Sequence, residues 1–385
     1  MTASSQRAEL VVDLAAIRHN VALLSDVAAS SGAEIMAVVK ADAYGHGLLE
    51  VARAARAAGA GWLGVATPEE ALRLREAGDT GRVLCWLTAP DEDWTPWVAA
   101  GLDLSAYSVD HLDAAAGAGR ARVHLKVDTG LSRGGAARDS WDTFFARAAA
   151  LEAAGEIEVV GIWSHLVAAD EPDNPVNDRQ EAVFEEAVAL ARSYGLAPRW
   201  RHLANSAATL ARPSMRYDLV RCGIAVYGLA PAPGVIGDPG LRPAMTARTR
   251  LAMVKRAHQG DGVSYSHLWT APADTTLGLV PAGYADGIPR SASNVAEVFV
   301  AGRRRPMRGR VCMDQFVVDL SDDDVDPGAE AILFGSGAHG EPTAQDWAEA
   351  AGTINYEIVT RIGGRFVRRY VDSALPGGPV GEEGQ

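Results

Sequence analysis

Between residues 34 and 224 the chain alternates short apolar runs with longer Ala/Leu/Arg segments whose apolar positions recur every three to four residues. Eight runs occur, at 35–40, 62–67, 83–87, 102–107, 123–128, 159–165, 201–204 and 219–222. The segments between them read as helices. One is predicted over 68–77, where Pro68 occupies the first turn, Glu69 and Glu70 complement the helix dipole, and Gly78 supplies the stop. Strand–helix alternation calls for parallel strands joined by right-handed crossovers, and eight such units close a (β/α)8 barrel. The count favours this TIM-like α/β barrel over an open doubly wound sheet.

Beyond residue 240 the rhythm changes. Runs at 248–259, 275–284, 296–300, 308–320 and 329–335 are strand-like, separated by turns such as Gly302-Arg303 and Asp326-Pro327-Gly328. One helix is predicted, over 343–351, with Thr343 as N-cap and Asp346 in the capping-box place. The expected organisation is a barrel at 1–240, a mainly β domain at 241–375 and a disordered Gly/Pro/Glu-rich tail at 376–385.

Composition narrows the classes of partner. The 385 residues carry 36 Lys+Arg against 49 Asp+Glu, a formal charge of −13, which argues against nucleic acid or anionic lipid and for small molecules. Three widely spaced cysteines, Cys85, Cys222 and Cys312, form neither a disulfide framework nor a zinc cluster. The acidic run from Ser321 to Asp324 lacks the ligand spacing of a calcium loop, so no metal is expected. Residues 1–9 are polar without a basic flank, and no stretch reaches 18 apolar residues, so a cytoplasmic protein is expected, not a membrane one.

Barrel enzymes gather their chemistry at the C-terminal ends of the strands, with phosphate usually held after strands seven and eight. The first run ends in Lys40, followed by Tyr44, Gly45 and Gly47. A lysine there is an ion pair to Asp42, a snorkelling side chain, or a Schiff-base lysine, and the flanking residues favour the last. The fifth run leads to Lys126, Gly130 and Arg133, and the sixth to His165. The seventh leads to Asn205 and Ser206, either of which can cap the next helix or hold phosphate. The eighth gives Arg221, Gly223 and Ile224.

This set resembles the alanine racemase family of fold-type III pyridoxal 5′-phosphate enzymes over nearly the whole chain. The most specific segments are 39–47, 126–133, 202–208, 220–228, 309–315 and 353–357. The resemblance implies a barrel followed by a β-domain, assembled as a homodimer with shared active sites. It implies that Lys40 holds pyridoxal 5′-phosphate covalently, and that Tyr44, Tyr356, Ser206, Gly223 and Ile224 bind the phosphate, beside Asn205. Arg221 would face the pyridine nitrogen, with His165 between it and a second base, Tyr265, from the partner chain. Arg133 and the Met313 backbone would hold the substrate carboxylate. Lys126 matches a lysine carbamylated in some members, and Asp170, Tyr284, Arg290, Arg310 and Asp314 would line the entrance. The implied reaction interconverts L- and D-alanine, Lys40 handling the proton of the D-enantiomer and Tyr265 that of the L-enantiomer.

Three positions depart from the family's common residues: Asp42 for Asn, Trp163 for Tyr, and Leu131-Ser132 for Met-Gly. They bear on the width of the pocket. A broader racemase accepting serine is therefore the alternative. A non-enzymatic cofactor carrier is disfavoured by the β-domain that bears Tyr265 and Met313.

Overall fold

The computed structural model describes residues 6–372, so the tail expected to be disordered at 376–385 lies outside the described residues. The chain divides into two compact units. One comprises 18–43 and 48–241, the other 1–17, 44–47 and 242–385.

The first unit is the barrel. Its strands are β2 (Glu34–Val38), β3 (Trp62–Val65), β4 (Arg82–Cys85), β5 (Asp103–Ala106), β6 (Ala121–Lys126), β7 (Ile157–Trp163), β8 (Trp200–His202) and β9 (Leu219–Cys222), preceded in the chain by β1 (Ala8–Asp13). They pair in parallel and in sequence order from β2 to β8, and β9 returns to pair with β2. The β8/β9 seam is closed by single contacts: Asp218 N–H to Arg201 O at 3.1 Å, Arg221 N–H to Ala204 O at 3.0 Å, and a bridge between Asn205 and Arg221. All eight sequence runs thus correspond to barrel strands. They were legible because a parallel strand covered on both faces is apolar throughout, and β3, β5 and β9 are buried at every position. The helix Pro68–Glu76 starts at a Thr67–Glu70 capping box, and Gly78 follows its end with φ 89°.

The second unit holds a nine-stranded sheet built from β1 and from β10 (Met245–Arg250), β11 (Met253–Ala257), β14 (Thr275–Val280), β15 (Glu297–Val300), β16 (Arg303–Arg308), β17 (Phe316–Ser321), β18 (Glu330–Phe334) and β19 (Val367–Val371). Its order is β11-β14-β17-β16-β15-β18-β10-β1-β19, and β12 (Gly262–Val263) and β13 (Trp269–Thr270) form a separate two-stranded hairpin.

Several expectations need correction here. The run at 248–259 is two strands, because after Arg250 the chain leaves β18 and β1 and pairs instead with β14. The run at 308–320 breaks between Arg308 and Phe316, and 275–284 ends at Val280. A second helix, Asn355–Arg361, follows Ala344–Ala351, whose Thr343 and Asp346 do form the expected capping box. β1, placed with the barrel by the 1–240 boundary, lies instead between β10 and β19.

Candidate active site

β2 delivers Lys40 onto an unusual turn. Ala41, Asp42, Ala43 and Tyr44 all have φ between 51° and 54°, so four consecutive non-glycine residues are left-handed. Such a conformation costs ~1–2 kcal/mol per residue and needs outside support. Glu70 provides part of it. Its Oε1 accepts from Ala41 N–H at 2.6 Å, while its Oε2 accepts from Ala66 and Thr67 N–H at 2.9 and 3.3 Å. Asp42 Oδ1 accepts from Leu48 N–H at 3.0 Å, and Ala43 N–H reaches back to Val39 O at 2.8 Å. Glu70 was read in the sequence only as a helix-dipole residue, so its second job was missed.

Lys40 sits with its ammonium 5.9 Å from the Trp86 ring, its pKa lowered by burial and then by the Arg133 guanidinium, with Glu70 opposing. Lys126, at the end of β6, lies over Trp163 at 4.5 Å. Burial, followed by Arg221 and Arg133, brings its pKa down to about 8. Arg133 is exposed on a loop shaped by Asp128, whose Oδ1 accepts from Gly130 and Ser132 N–H at 2.8 and 3.2 Å.

Arg221 is buried on β9 and stacks over Trp163 at 4.7 Å. Its Nη1 donates to His202 O at 2.7 Å and Nδ1 at 3.3 Å. Its Nη2 donates to Ser164 O at 2.7 Å, Leu203 O at 3.2 Å and His165 Nδ1 at 3.4 Å. Burial pushes its pKa down to about 9, which leaves it charged at neutral pH. His165 is held neutral, its pKa far below the usual imidazole value, by burial and then by Arg221, Arg133, Lys126 and Lys40. The structure thus brings Lys40, Lys126, Arg133, His165 and Arg221 to the strand C-terminal ends of one barrel.

Close by in the chain, Asn205 caps the helix Ser206–Ala211, accepting from Ala208 N–H at 3.1 Å, which is the structural role weighed for it in the sequence. Ser206 Oγ accepts from Gly223 N–H at 2.9 Å and Ala225 N–H at 3.4 Å, and Ile224 opens a 3-10 turn. Tyr227, at the end of that turn, donates to Val38 O at 2.8 Å, fastening the turn to β2. Asp170 is exposed.

The remaining sequence candidates belong to the β unit. Tyr44 and Tyr356 face each other with ring centroids 6.2 Å apart, and burial, then Tyr356, holds the Tyr44 phenol protonated. Tyr265 is 69% exposed on a turn flanked by Ser264 and Ser266, both at φ 61°. Ser264 Oγ donates to Arg310 O at 2.8 Å, and Tyr284 and Ala285 N–H donate to Cys312 and Met313 O at 3.0 Å each. One Arg365 pairs with Asp286 and Asp314, both at 2.6 Å. Tyr265, Tyr284, Arg310, Met313 and Asp314 therefore sit on three loops, of which the one bearing Arg310, Met313 and Asp314 bonds to each of the other two, with Arg290 in a following 3-10 turn bound through Ser293 Oγ to Val311 N–H at 3.0 Å.

A parallel barrel whose first strand ends on a desolvated lysine and whose last carries a buried arginine, joined in sequence to a mainly β unit, defines the two-part class of fold-type III enzymes. The family model described as alanine racemase, N-terminal domain, matches residues 12–231, and that for the alanine racemase C-terminal domain matches 244–370. The chain belongs to the alanine racemase family. An alanine racemase of Salinispora arenicola is 56% identical over 375 residues, covering 96% of this chain and 100% of the relative. One of Thermobifida fusca is 55% identical over 371 residues, covering 95% and 98%. Among solved structures, the alanine racemase from D-cycloserine-producing Streptomyces lavendulae superposes with a TM-score of 0.93 at 49% identity, covering 97% of this chain and 99% of that one. The Bacillus anthracis alanine racemase with bound L-Ala-P gives 0.87 at 34% identity, covering 96% of each.

Proposed function

We infer that this chain is an alanine racemase, a pyridoxal 5′-phosphate-dependent isomerase interconverting L-alanine and D-alanine by a two-base route. The observation that carries the reading is Lys40, a lysine of lowered pKa at the end of a barrel strand among other cations. The donor set fits the cofactor. Ser206 and the Gly223 and Ile224 backbone suit a phosphate, as do, in the β unit, the protonated phenol of Tyr44 and the hydroxyl of Tyr356, and Lys40 suits the carbonyl carbon. Arg221 spends Nη1 and Nη2 on the protein, which leaves its Nε–H for the ring nitrogen. When bound, the cofactor supplies the electron sink that makes the amino acid's α-proton labile.

Racemisation needs a proton removed from one face and returned on the other, hence two groups on opposite sides. Lys40 Nζ serves one face, and the phenol oxygen of the partner subunit's Tyr265 serves the other. Since His165 Nδ1 accepts from Arg221, its proton is on Nε2, a donor suited to stabilising that phenol's ionised form. Arg221 gives up no proton at neutral pH, which weakens the sink and favours proton return over amino-group transfer. Arg133 and the backbone of the partner subunit's Met313 hold the carboxylate. Lys126, partly neutral near pH 8, is suited to taking up carbon dioxide and steadying Arg133. Asp170, Tyr284, Arg290, Arg310 and Asp314 line the entrance.

A homodimer is supported by the exposed Tyr265, Leu268, Tyr284, Met313 and Ile354 of the β unit, side chains that a partner subunit could cover. The three free cysteines suit a reducing cytoplasm, and among the described residues no helix is long and apolar enough to cross a membrane. The test is chiral chromatography of L-alanine incubated with purified protein and pyridoxal phosphate. D-alanine should accumulate to an equal mixture. No D-alanine, or a higher kcat/KM for L-serine or L-lysine, overturns the reading.

A further inference from the structure

Beyond Arg221, the barrel interior holds a polar chain that none of the chemistry above uses. It starts at Arg221, near the C-terminal end of β9, and passes to His202 at the end of β8. His202 Nε2 lies 2.9 Å from Nδ1 of His124, midway along β6. His124 Nε2 lies 3.7 Å from Asp103 Oδ1, a charge–dipole separation too long for a hydrogen bond, and makes no hydrogen bond of its own; Asp103 is the first residue of β5. Asp103 in turn pairs with Arg82 at 2.6 Å and Arg122 at 3.2 Å. The chain thus runs from the strand C-terminal ends to the opposite floor of the barrel. Asp103, His124 and His202 are completely buried.

The donors can be oriented only one way. Arg221 can only donate, so His202 accepts at Nδ1 and carries its proton on Nε2. His124 accepts from that N–H at Nδ1, and its own proton is left on Nε2, on the side of the Asp103 carboxylate. The opposite tautomer would point two donors at each other. Burial keeps both imidazoles neutral, ahead of any effect of Asp103, Arg82, Arg122 or Arg221 on them. The remaining walls are aromatic: Trp62 and Trp200 beside His124, and Trp163 stacked on His202 at 5.5 Å and 5°. Space for this arrangement comes from Gly161 of β7, where a Cβ would lie 2.2 Å from His124 Nδ1.

We propose that Asp103 and His124 are positioning residues that lock the tautomer of His202 and thereby the orientation of Arg221. The consequence for catalysis rests on the reading of Arg221 as the ring nitrogen's partner; the tautomers themselves do not. The test is nitrogen-15 NMR of histidine-labelled protein without cofactor. His124 and His202 should both appear as neutral Nε2–H tautomers, assigned through His124→Gln and His202→Gln. A Nδ1–H tautomer or an imidazolium at either position overturns the proposal whatever the activity. In His124→Gln, His202 should become a mixture of tautomers, and kcat in the loaded enzyme should fall about tenfold with KM within about twofold. An unchanged His202 signal in that variant, or equal loss through KM alone, also overturns it. If His124→Gln does not fold, the wild-type spectrum decides.

Discussion

The left-handed turn behind Lys40 gives the sharpest handle on how the barrel holds this lysine in place. Glu70→Ala removes the acceptor of Ala41 N–H at 2.6 Å and of Ala66 and Thr67 N–H. A hydrogen bond to a charged group contributes ~1.5–3 kcal/mol, and loss of a capping side chain costs ~1 kcal/mol. The expected destabilisation is therefore about 2.5–4 kcal/mol, a downward shift in the urea midpoint of the barrel transition. More than half of it falls at Ala41, directly beside Lys40. There it acts on a turn already carrying ~4–8 kcal/mol of left-handed strain across four residues, so the turn should relax and Lys40 should leave its place. The borohydride-trapped lysine–cofactor adduct at limiting cofactor should then fall by about tenfold, since 1.4 kcal/mol is a factor of ten. Glu70→Gln, which keeps one carbonyl oxygen for three N–H groups, should lie between. An unchanged midpoint with unchanged trapping would refute the idea that this carboxylate holds the turn. A lower midpoint with full trapping would reduce Glu70 to a helix cap.

Lys40→Ala should abolish the borohydride-trapped adduct altogether, and an adduct persisting in that variant would point to a different lysine. Tyr265→Ala should slow proton removal from L-alanine selectively in single-turnover deuterium exchange; equal loss for both enantiomers would contradict the two-base assignment. Acid sensitivity has a definite sign. His124 and His202 have pKa values lowered by burial, so below the unfolded imidazole value the unfolded chain binds protons that the native barrel does not. Stability should be level above about pH 6.5 and fall as pH drops below it; these two rings alone contribute a slope approaching ~2.7 kcal/mol per pH unit, and His165 and His111, whose pKa values burial also lowers, steepen it. Urea midpoints that stay flat between pH 5 and 7 would show that both of these rings are protonated in the native state as readily as in the unfolded chain.

The barrel was legible because each strand is buried on both faces and bounded by Gly or polar residues, and its errors are confined to strand ends. The run at 35–40 overshoots β2 because Val39 and Lys40 continue its apolar, extended look into a turn that no sequence pattern marks. The β unit was less legible for a topological reason. β1 pairs with residues more than 230 positions away, and no local periodicity reports such a partner. At 251–252 there is no Gly or Pro to separate β10 from β11. In the site, residues inside distinctive loop wording were found, whereas Glu70 and His124 were not. Glu70 looks like any first-turn acid, and His124 sits between Val123 and Leu125 as a satisfied core histidine would.

The two barrel features meet in one electrostatic argument. Lys40, Lys126, Arg133 and Arg221 act on His165 together, and the carboxylates that oppose them at the lysines are Glu70 and Asp128. Desolvated cations without paired anions are costly. The usual remedy, a carboxylate on Arg221, is not used: its Nη1 and Nη2 contacts are carbonyl oxygens and neutral imidazoles. A carboxylate there would hold the guanidinium more firmly but would cancel the charge that an incoming phosphate and carboxylate need. Neutral acceptors fix direction without cancelling charge, provided their own protons are in the right place. Asp103 can set those protons because it stands two imidazoles away, with its own charge already answered by Arg82 and Arg122. The formal charge of −13 describes the outer surface, while the barrel mouth is kept positive by leaving its cations with dipoles for partners.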